Sequence, residues 1–200
     1  MQIDWIVKNG NDKLLVVVLG WAADPTMVAS VVELRKDFDI VCIYDFREIR
    51  SLDTLGNYPE IHLIAWSYGV WAAEQILPEM DFASAVAVNG TPLPVDDEFG
   101  IQKKIFELTV NNINISKFEQ RMCFGMRETV KIRRPENECI DELRALQKYF
   151  QNPYKVSIKW SKAVVGGRDL IFPPEKQLKY WNSNNTEVDY RQNAPHFIGI

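Results

Sequence analysis

Ser67 stands in the run Ala65-Trp66-Ser67-Tyr68-Gly69, between the apolar stretch Ile61 to Trp66 and small residues that read as a helix. A strand that ends at a serine and turns at once into a helix is the setting of a nucleophile elbow, G-x-S-x-G, with Ala65 here in the first glycine position. The turn lifts the hydroxyl to a helix N-terminus, where aligned N–H groups favour negative charge. A serine attacks only after a base has taken its proton, and near neutral pH that base is most often histidine. The chain has two histidines. His62 lies five residues before Ser67 on the same strand, about 17 Å away at the wrong end of a sheet. His196, in Asn193-Ala194-Pro195-His196-Phe197, follows the last strand-like run and can return to the edge where Ser67 emerges.

The imidazole needs a carboxylate to fix its tautomer and stabilise the imidazolium. Asp169 follows the strand Ala163 to Gly166 in Gly166-Gly167-Arg168-Asp169, at the same carboxyl edge. An oxyanion hole needs two N–H donors, normally one from the residue after the nucleophile and one from the loop after an early strand. Tyr68 fills the first role by position, and Trp21, in Leu19-Gly20-Trp21-Ala22, fills the second. The chain order Ser67, Asp169, His196 is that of α/β-hydrolases.

These residues must be held by a particular scaffold. Runs of Val, Ile and Leu at Leu14 to Leu19, Ile40 to Phe46, Ile61 to Trp66, Ser84 to Asn89, Ala163 to Gly166 and Glu187 to Arg191 are continuous rather than alternating, the pattern of parallel strands buried on both faces. Asn9-Gly10-Asn11-Asp12 is turn chemistry that suits a hairpin between Gln2 to Val7 and the first of them. Asp24-Pro25 opens a helix with Met27, Val28, Val31, Val32 and Leu34 inward, Tyr68 to Leu77 forms another up to Pro78, and Pro173-Pro174 opens a third. Between Asn89 and Ala163 the alternation stops. There Ile101, Ile105 and Leu108 form one stripe, Ser116-Lys117-Phe118-Glu119 reads as a capping box, and Pro135 starts a helix with Ile140, Leu143, Leu146 and Phe150 inward. The expected architecture is α/β: a compact α/β-hydrolase fold over residues 1–200, with a mostly parallel central sheet, helices on both faces and a helical lid insertion at about 91–160.

Composition removes other classes. With 46% apolar and 25% charged residues the chain is an ordinary globular protein. The run from Leu14 to Ala23 is about half as long as a membrane span requires, and no secretory signal opens the chain, so a cytoplasmic location is expected. Cys42, Cys123 and Cys139 fit neither a disulfide framework nor a zinc site. No nucleotide-binding glycine motif occurs, a net charge of −4 argues against nucleic-acid partners, and no cofactor is expected. Asp45 and Arg47 resemble a turn that fixes a loop.

The charge is unevenly spread. Ile101 to Arg134 holds eight basic residues, among them Arg121, Arg127, Arg133 and Arg134, against three acidic ones. Such a face is either a solvated helical surface or a docking site for an acidic macromolecule. Phe106, Phe118, Met122, Phe124 and Met126 lie in the same stretch, where they line an acyl pocket or form the lid's own core.

Leu19-Gly20-Trp21, the Ala65-Trp66-Ser67-Tyr68-Gly69-Val70-Trp71 elbow and Asn89-Gly90-Thr91-Pro92 together resemble the BioG-type esterases, which cleave the methyl ester of pimeloyl-acyl carrier protein in biotin synthesis. The resemblance is strongest in the first hundred residues. It implies Ser67 as nucleophile, His196 as base, Asp169 as its partner, the Trp21 and Tyr68 amides as oxyanion donors, and an acidic acyl carrier protein as the partner that Arg121, Arg127, Arg133 and Arg134 would bind. Ala65 in place of glycine, and a chain that ends four residues after His196, depart from the usual hydrolase pattern. A thioesterase with the same triad, or a hydrolase-like protein that only binds an acyl ligand, are the other readings.

Overall fold

A computed structural model describes residues 1–52, 55–78, 80–124 and 130–199. Its strands are β1 (Gln2–Val7), β2 (Lys13–Val18), β3 (Phe38–Tyr44), β4 (Glu60–Trp66), β5 (Ser84–Val88), β6 (Lys162–Gly166) and β7 (Glu187–Arg191). They form one sheet in the order β1-β3-β2-β4-β5-β6-β7, parallel throughout except for antiparallel β1. The continuous apolar runs of the inner strands follow from burial on both faces, whereas β7, at the sheet's edge, exposes Glu187, Tyr190 and Arg191. Along β2, Leu14, Val16 and Val18 enter one hydrophobic cluster while Leu15 and Val17 enter the other, as side chains that alternate across a strand must.

A 3-10 turn (Pro25–Val28), capped by the Asp24 carboxylate on the Thr26 amide, leads into α1 (Ala29–Leu34). These pack on one face of the sheet through Met27, Val28 and Val31. The other face carries α2 (Tyr68–Ile76) and α6 (Pro174–Ser183), through residues such as Val70, Trp71, Tyr180 and Trp181. Between β5 and β6 lie α3 (Lys103–Asn111), α4 (Ile115–Met122) and α5 (Glu136–Tyr149). None of the helices among the described residues is long and apolar enough to cross a membrane.

Four local expectations change. Gln2–Val7 makes no hairpin with β2, because both edges of β2 are taken by β3 and β4; β1 runs instead along the outer edge of β3. The turn between them is tied down by Asp39, whose carboxylate accepts the Asn9, Gly10 and Asn11 amides. Leu34, at the end of a six-residue helix, is 80% exposed rather than inward. On α3 the core residues are Phe106 and Val110, and Ile105 and Leu108 face outward at 48% and 51% exposure. The cap of α4 is Asn114, whose side chain accepts the Lys117 amide at 2.9 Å; this starts the helix one residue before Ser116, and frees Glu119 to accept the Ile132 amide at 2.8 Å.

Candidate active site

The elbow forms as its spacing implies. Ser67 sits between β4 and α2 at φ 58°, ψ −128°, with its amide bonded to the Val88 carbonyl at 2.9 Å. A left-handed φ is costly for a non-glycine residue and occurs where the surroundings enforce it. Here the neighbours must be small. A β-carbon on Gly69 would strike the Val18 carbonyl, and one on Gly90 would strike that of Ser67 itself. Ala65 fills the first glycine position without conflict, since it lies in the sheet beside Val18 and Ala87, away from the turn.

The side chains predicted to work together do meet. His196 Nε2 lies 2.9 Å from Ser67 Oγ, and its Nδ1 lies 2.7 Å from Asp169 Oδ2. All three residues are buried. Asp169 Oδ1 accepts the Ile171 and Phe172 amides at 2.8 Å each, so the carboxylate is fixed by its own loop and acts only as acceptor. That assigns the proton on Nδ1 to the bond with Asp169 and leaves Nε2 free to accept from the serine. His62 stands at the start of β4, between Glu60 and Ser84 at 2.6 Å on either side, and takes no part.

Two further residues, Asn89 and Gln177, support the cluster without belonging to any catalytic motif in the sequence. The Asn89 side chain donates to the carbonyls of Pro195 and His196, and Trp66 Nε1 donates to the latter at 2.9 Å, so the loop carrying His196 is held from the ends of β4 and β5. Gln177, on α6, donates to Asp169 Oδ2 at 3.2 Å and to the Phe172 carbonyl at 2.7 Å. Asn at a strand end is a recognisable signal for a left-handed residue, and Asn89 has φ 47°. Gln177 gave none, being one polar residue on an otherwise amphipathic helix.

Gly20 packs so closely on Ser67 that a β-carbon there would lie 2.8 Å from Ser67 Cβ, which brings Trp21 beside the serine. The Trp21 indole donates to the Cys139 carbonyl at 2.7 Å. A cavity of about 400 Å³ opens from Ser67. Trp21, Tyr68, Phe106, Phe118 and Leu143 give it apolar walls, and Asn112, Asn114, Lys117 and Arg121 its polar part. The outward-facing Ile105 and Leu108 of α3 also line it. Met122 is buried in the opposite cluster, Phe124 is exposed, and Met126 lies outside the described residues.

The four arginines separate. Arg121 lines the cavity and Arg133 is exposed. Arg127 lies outside the described residues. Arg134 is not at the surface, because its side chain, only 7% exposed, runs inward to Glu142 Oε2 at 2.6 Å and Asp45 Oδ1 at 3.0 Å. Asp45 also holds Arg47, as the sequence suggested. Burial lifts the Asp45 carboxyl, but the bond from Arg47 and the charge of Arg134 outweigh it and hold the group below the ordinary carboxylate range. Burial raises the Glu142 carboxyl, against the pull of Arg134 and of the Phe46 and Ala22 amides. The thiol of Cys139 is pushed up to about 11 by burial, and those of Cys42 and Cys123 rise for the same reason, so all three are inert packing groups. Among the described residues no group of three or more His, Cys, Asp or Glu side chains is placed to hold a metal ion.

A mostly parallel sheet with helices on both faces and a Ser-His-Asp cluster at its carboxyl edge defines an α/β-hydrolase. At 14% identity a lipase-esterase related protein from Clostridium acetobutylicum superposes with a TM-score of 0.63 over 98% of this chain and 92% of its own, a likeness of fold. More specifically, residues 1–197 match the family described as Pimeloyl-ACP methyl esterase BioG, and the chain belongs to that family. The crystal structure of selenomethionine BioG from Haemophilus influenzae superposes with a TM-score of 0.85 at 32% identity, over 99% of this chain and 94% of that one. A Bacteroides fragilis protein named malonyl-[acyl-carrier protein] O-methyltransferase is 36% identical over 194 residues; they make up 92% of this chain but only 39% of that longer protein.

Proposed function

We propose that the protein is a serine carboxylesterase that hydrolyses the methyl ester of a pimeloyl chain carried on acyl carrier protein. The observation that carries the chemistry is the contact of Ser67 Oγ with His196 Nε2 at 2.9 Å, with Asp169 behind the imidazole at 2.7 Å and the hydroxyl opening on an apolar cavity. The acyl chain lies against the aromatic walls. His196 takes the serine proton as Ser67 attacks the ester carbonyl, and the tetrahedral oxyanion is stabilised by the amides of Trp21 and Tyr68. Each such donor is worth roughly 2.7 to 4 kcal/mol in the transition state. His196 then gives that proton to the departing methoxide, which leaves as methanol; water, activated by the same imidazole, cleaves the acyl-enzyme to a free carboxylate.

The choice of ester and carrier rests on family membership, with support from charge. Lys117 and Arg121 at the cavity, with Arg133 outside it, suit an acidic carrier protein and its anionic prosthetic arm. The Bacteroides relative is named for a methyltransferase acting on a carrier-bound acyl group, a reaction that creates the kind of ester this site would remove. The test is to label Ser67 with a fluorophosphonate and to compare a methyl ester with a thioester of one acyl chain. Labelling lost in Ser67→Ala, with the methyl ester preferred, supports the reading. A preferred thioester makes it a thioesterase, and failure to label folded protein leaves an acyl-binding role.

A further inference from the structure

The insertion reaches into the sheet edge with a buried carboxylate. Glu142, on α5, is fully buried, yet α5 also carries Cys139, Leu143 and Leu146 inward, and an apolar residue would pack among them without desolvating a charge. What the carboxylate adds is two amide acceptors. Its Oε2 accepts the Ala22 amide at 3.1 Å and its Oε1 the Phe46 amide at 2.9 Å, joining the loops that follow β2 and β3. Arg134 supplies the counter-charge at 2.6 Å and is itself braced by Asp45.

Ala22 has φ 63°, a left-handed conformation that a residue with a β-carbon keeps only when something outside the loop holds it. The peptide so held joins Ala22 to Trp21. From the same helix, the Cys139 carbonyl fixes the Trp21 indole at 2.7 Å. Both the side chain of Trp21 and the peptide that follows it are therefore set by α5. We propose that Glu142, with Arg134 as its counter-ion, is a positioning residue that aims the Trp21 amide at the oxyanion before substrate arrives. This rests on the reading of Ser67 as nucleophile and of Trp21 as donor.

A preorganised donor acts on the tetrahedral state and not on the bound ester, and the test uses that difference. Glu142→Gln keeps the volume but turns an NH₂ group toward either an amide N–H or Arg134. On a small soluble methyl ester, kcat is expected to fall about 10- to 100-fold with KM changed less than about threefold, a partial form of the loss of a whole donor. The Ki of an acyl trifluoromethyl ketone, which forms a tetrahedral adduct with the serine, should rise by the factor that kcat/KM loses. The Glu142→Met, Arg134→Met pair replaces the Glu142–Arg134 ion pair with apolar groups, an exchange folded proteins commonly tolerate, and leaves Asp45 paired with Arg47. It should show the same parallel loss if Glu142→Gln does not fold. Wild-type kcat and Ki in either folded variant, or a fall in kcat that leaves Ki unmoved, overturns the positioning role while the esterase reading stands. A wild-type protein that neither labels nor hydrolyses the ester removes both.

Discussion

The side-chain amide of Asn89 donates to the His196 carbonyl at 2.7 Å, while its Oδ1 accepts the Gly166 amide at 2.7 Å. One residue at the end of β5 thereby ties the loop bearing His196 to the end of β6, where the turn to Asp169 begins. Ser67, Asp169 and His196 come from three separate strand ends, and this crosslink fixes two of those ends relative to each other.

Asn89→Ala should therefore damage both stability and turnover. It strips the Gly166 amide and the Pro195 carbonyl of buried partners, at about 1–3 kcal/mol for each unsatisfied group. Trp66 still holds the His196 carbonyl, so the fold survives with a looser base. Urea denaturation should show a loss of at least about 2 kcal/mol, and kcat should fall more than KM rises. Unchanged kcat in the folded variant would contradict the role given to this crosslink.

Gly20→Ala and Gly69→Ala should part company. The β-carbon added at Gly20 meets Ser67 Cβ at 2.8 Å and Oγ at 3.2 Å, so it displaces the nucleophile and the loop of Trp21. Overpacking of this kind costs about 1–3 kcal/mol of stability, and a nucleophile displaced by about 1 Å loses on the order of 100-fold in kcat. At Gly69 the added carbon meets the backbone carbonyl of Val18 inside the sheet, which cannot give way, and soluble expression is expected to fail. Expression yield and single-turnover rates distinguish the two.

The sequence made the Ser67, Asp169 and His196 cluster legible because its members stand at strand ends. An apolar run stopped by Ser67, a second stopped near Asp169 and a histidine beyond the last run have few other ways to meet in a parallel sheet. Long-range tertiary packing stayed hidden. The Ile105 and Leu108 stripe has helical period but lines a cavity instead of a core, and period alone carries no direction. Arg134 looked like its exposed neighbour Arg133 because nothing nearby in sequence announces Asp45, some ninety residues earlier. Gln2–Val7 paired with β3 because both neighbouring positions beside β2 were already filled by parallel strands.

Acid should loosen the amino-terminal turn. Burial would raise the Asp39 carboxyl, but the Asn9 amide, the Tyr58 hydroxyl and the Asn11 and Gly10 amides together hold it below its ordinary value. A carboxyl depressed in the folded state stabilises fully above its unfolded pKa, about 4, and that contribution vanishes as pH falls through the folded value. Thermal melts of wild type and Asp39→Asn should differ by a constant amount above about pH 5 and converge below about pH 4. A gap of the same size at pH 6 and pH 2 would show that the stabilisation does not depend on the ionised carboxylate.

Charge reversal at two adjacent arginines separates docking from architecture. Arg133→Glu alters an exposed position, so stability should stay within about 0.5 kcal/mol. Against an acidic carrier the lost attraction should raise KM for carrier-linked ester several-fold at low salt, an effect that shrinks toward physiological ionic strength as screening takes over. A short soluble ester, which never meets that surface, should be hydrolysed as before. Arg134→Glu instead leaves Asp45 and Glu142 facing a third buried negative charge, and loss of one member of a buried pair costs about 3–5 kcal/mol. Its signature is a large fall in melting temperature with both substrates affected alike. Equal effects of Arg133→Glu on carrier-linked and soluble esters would reject docking through this face, and they would turn attention to the cations beside the cavity, Lys117 and Arg121, for holding the carrier's arm.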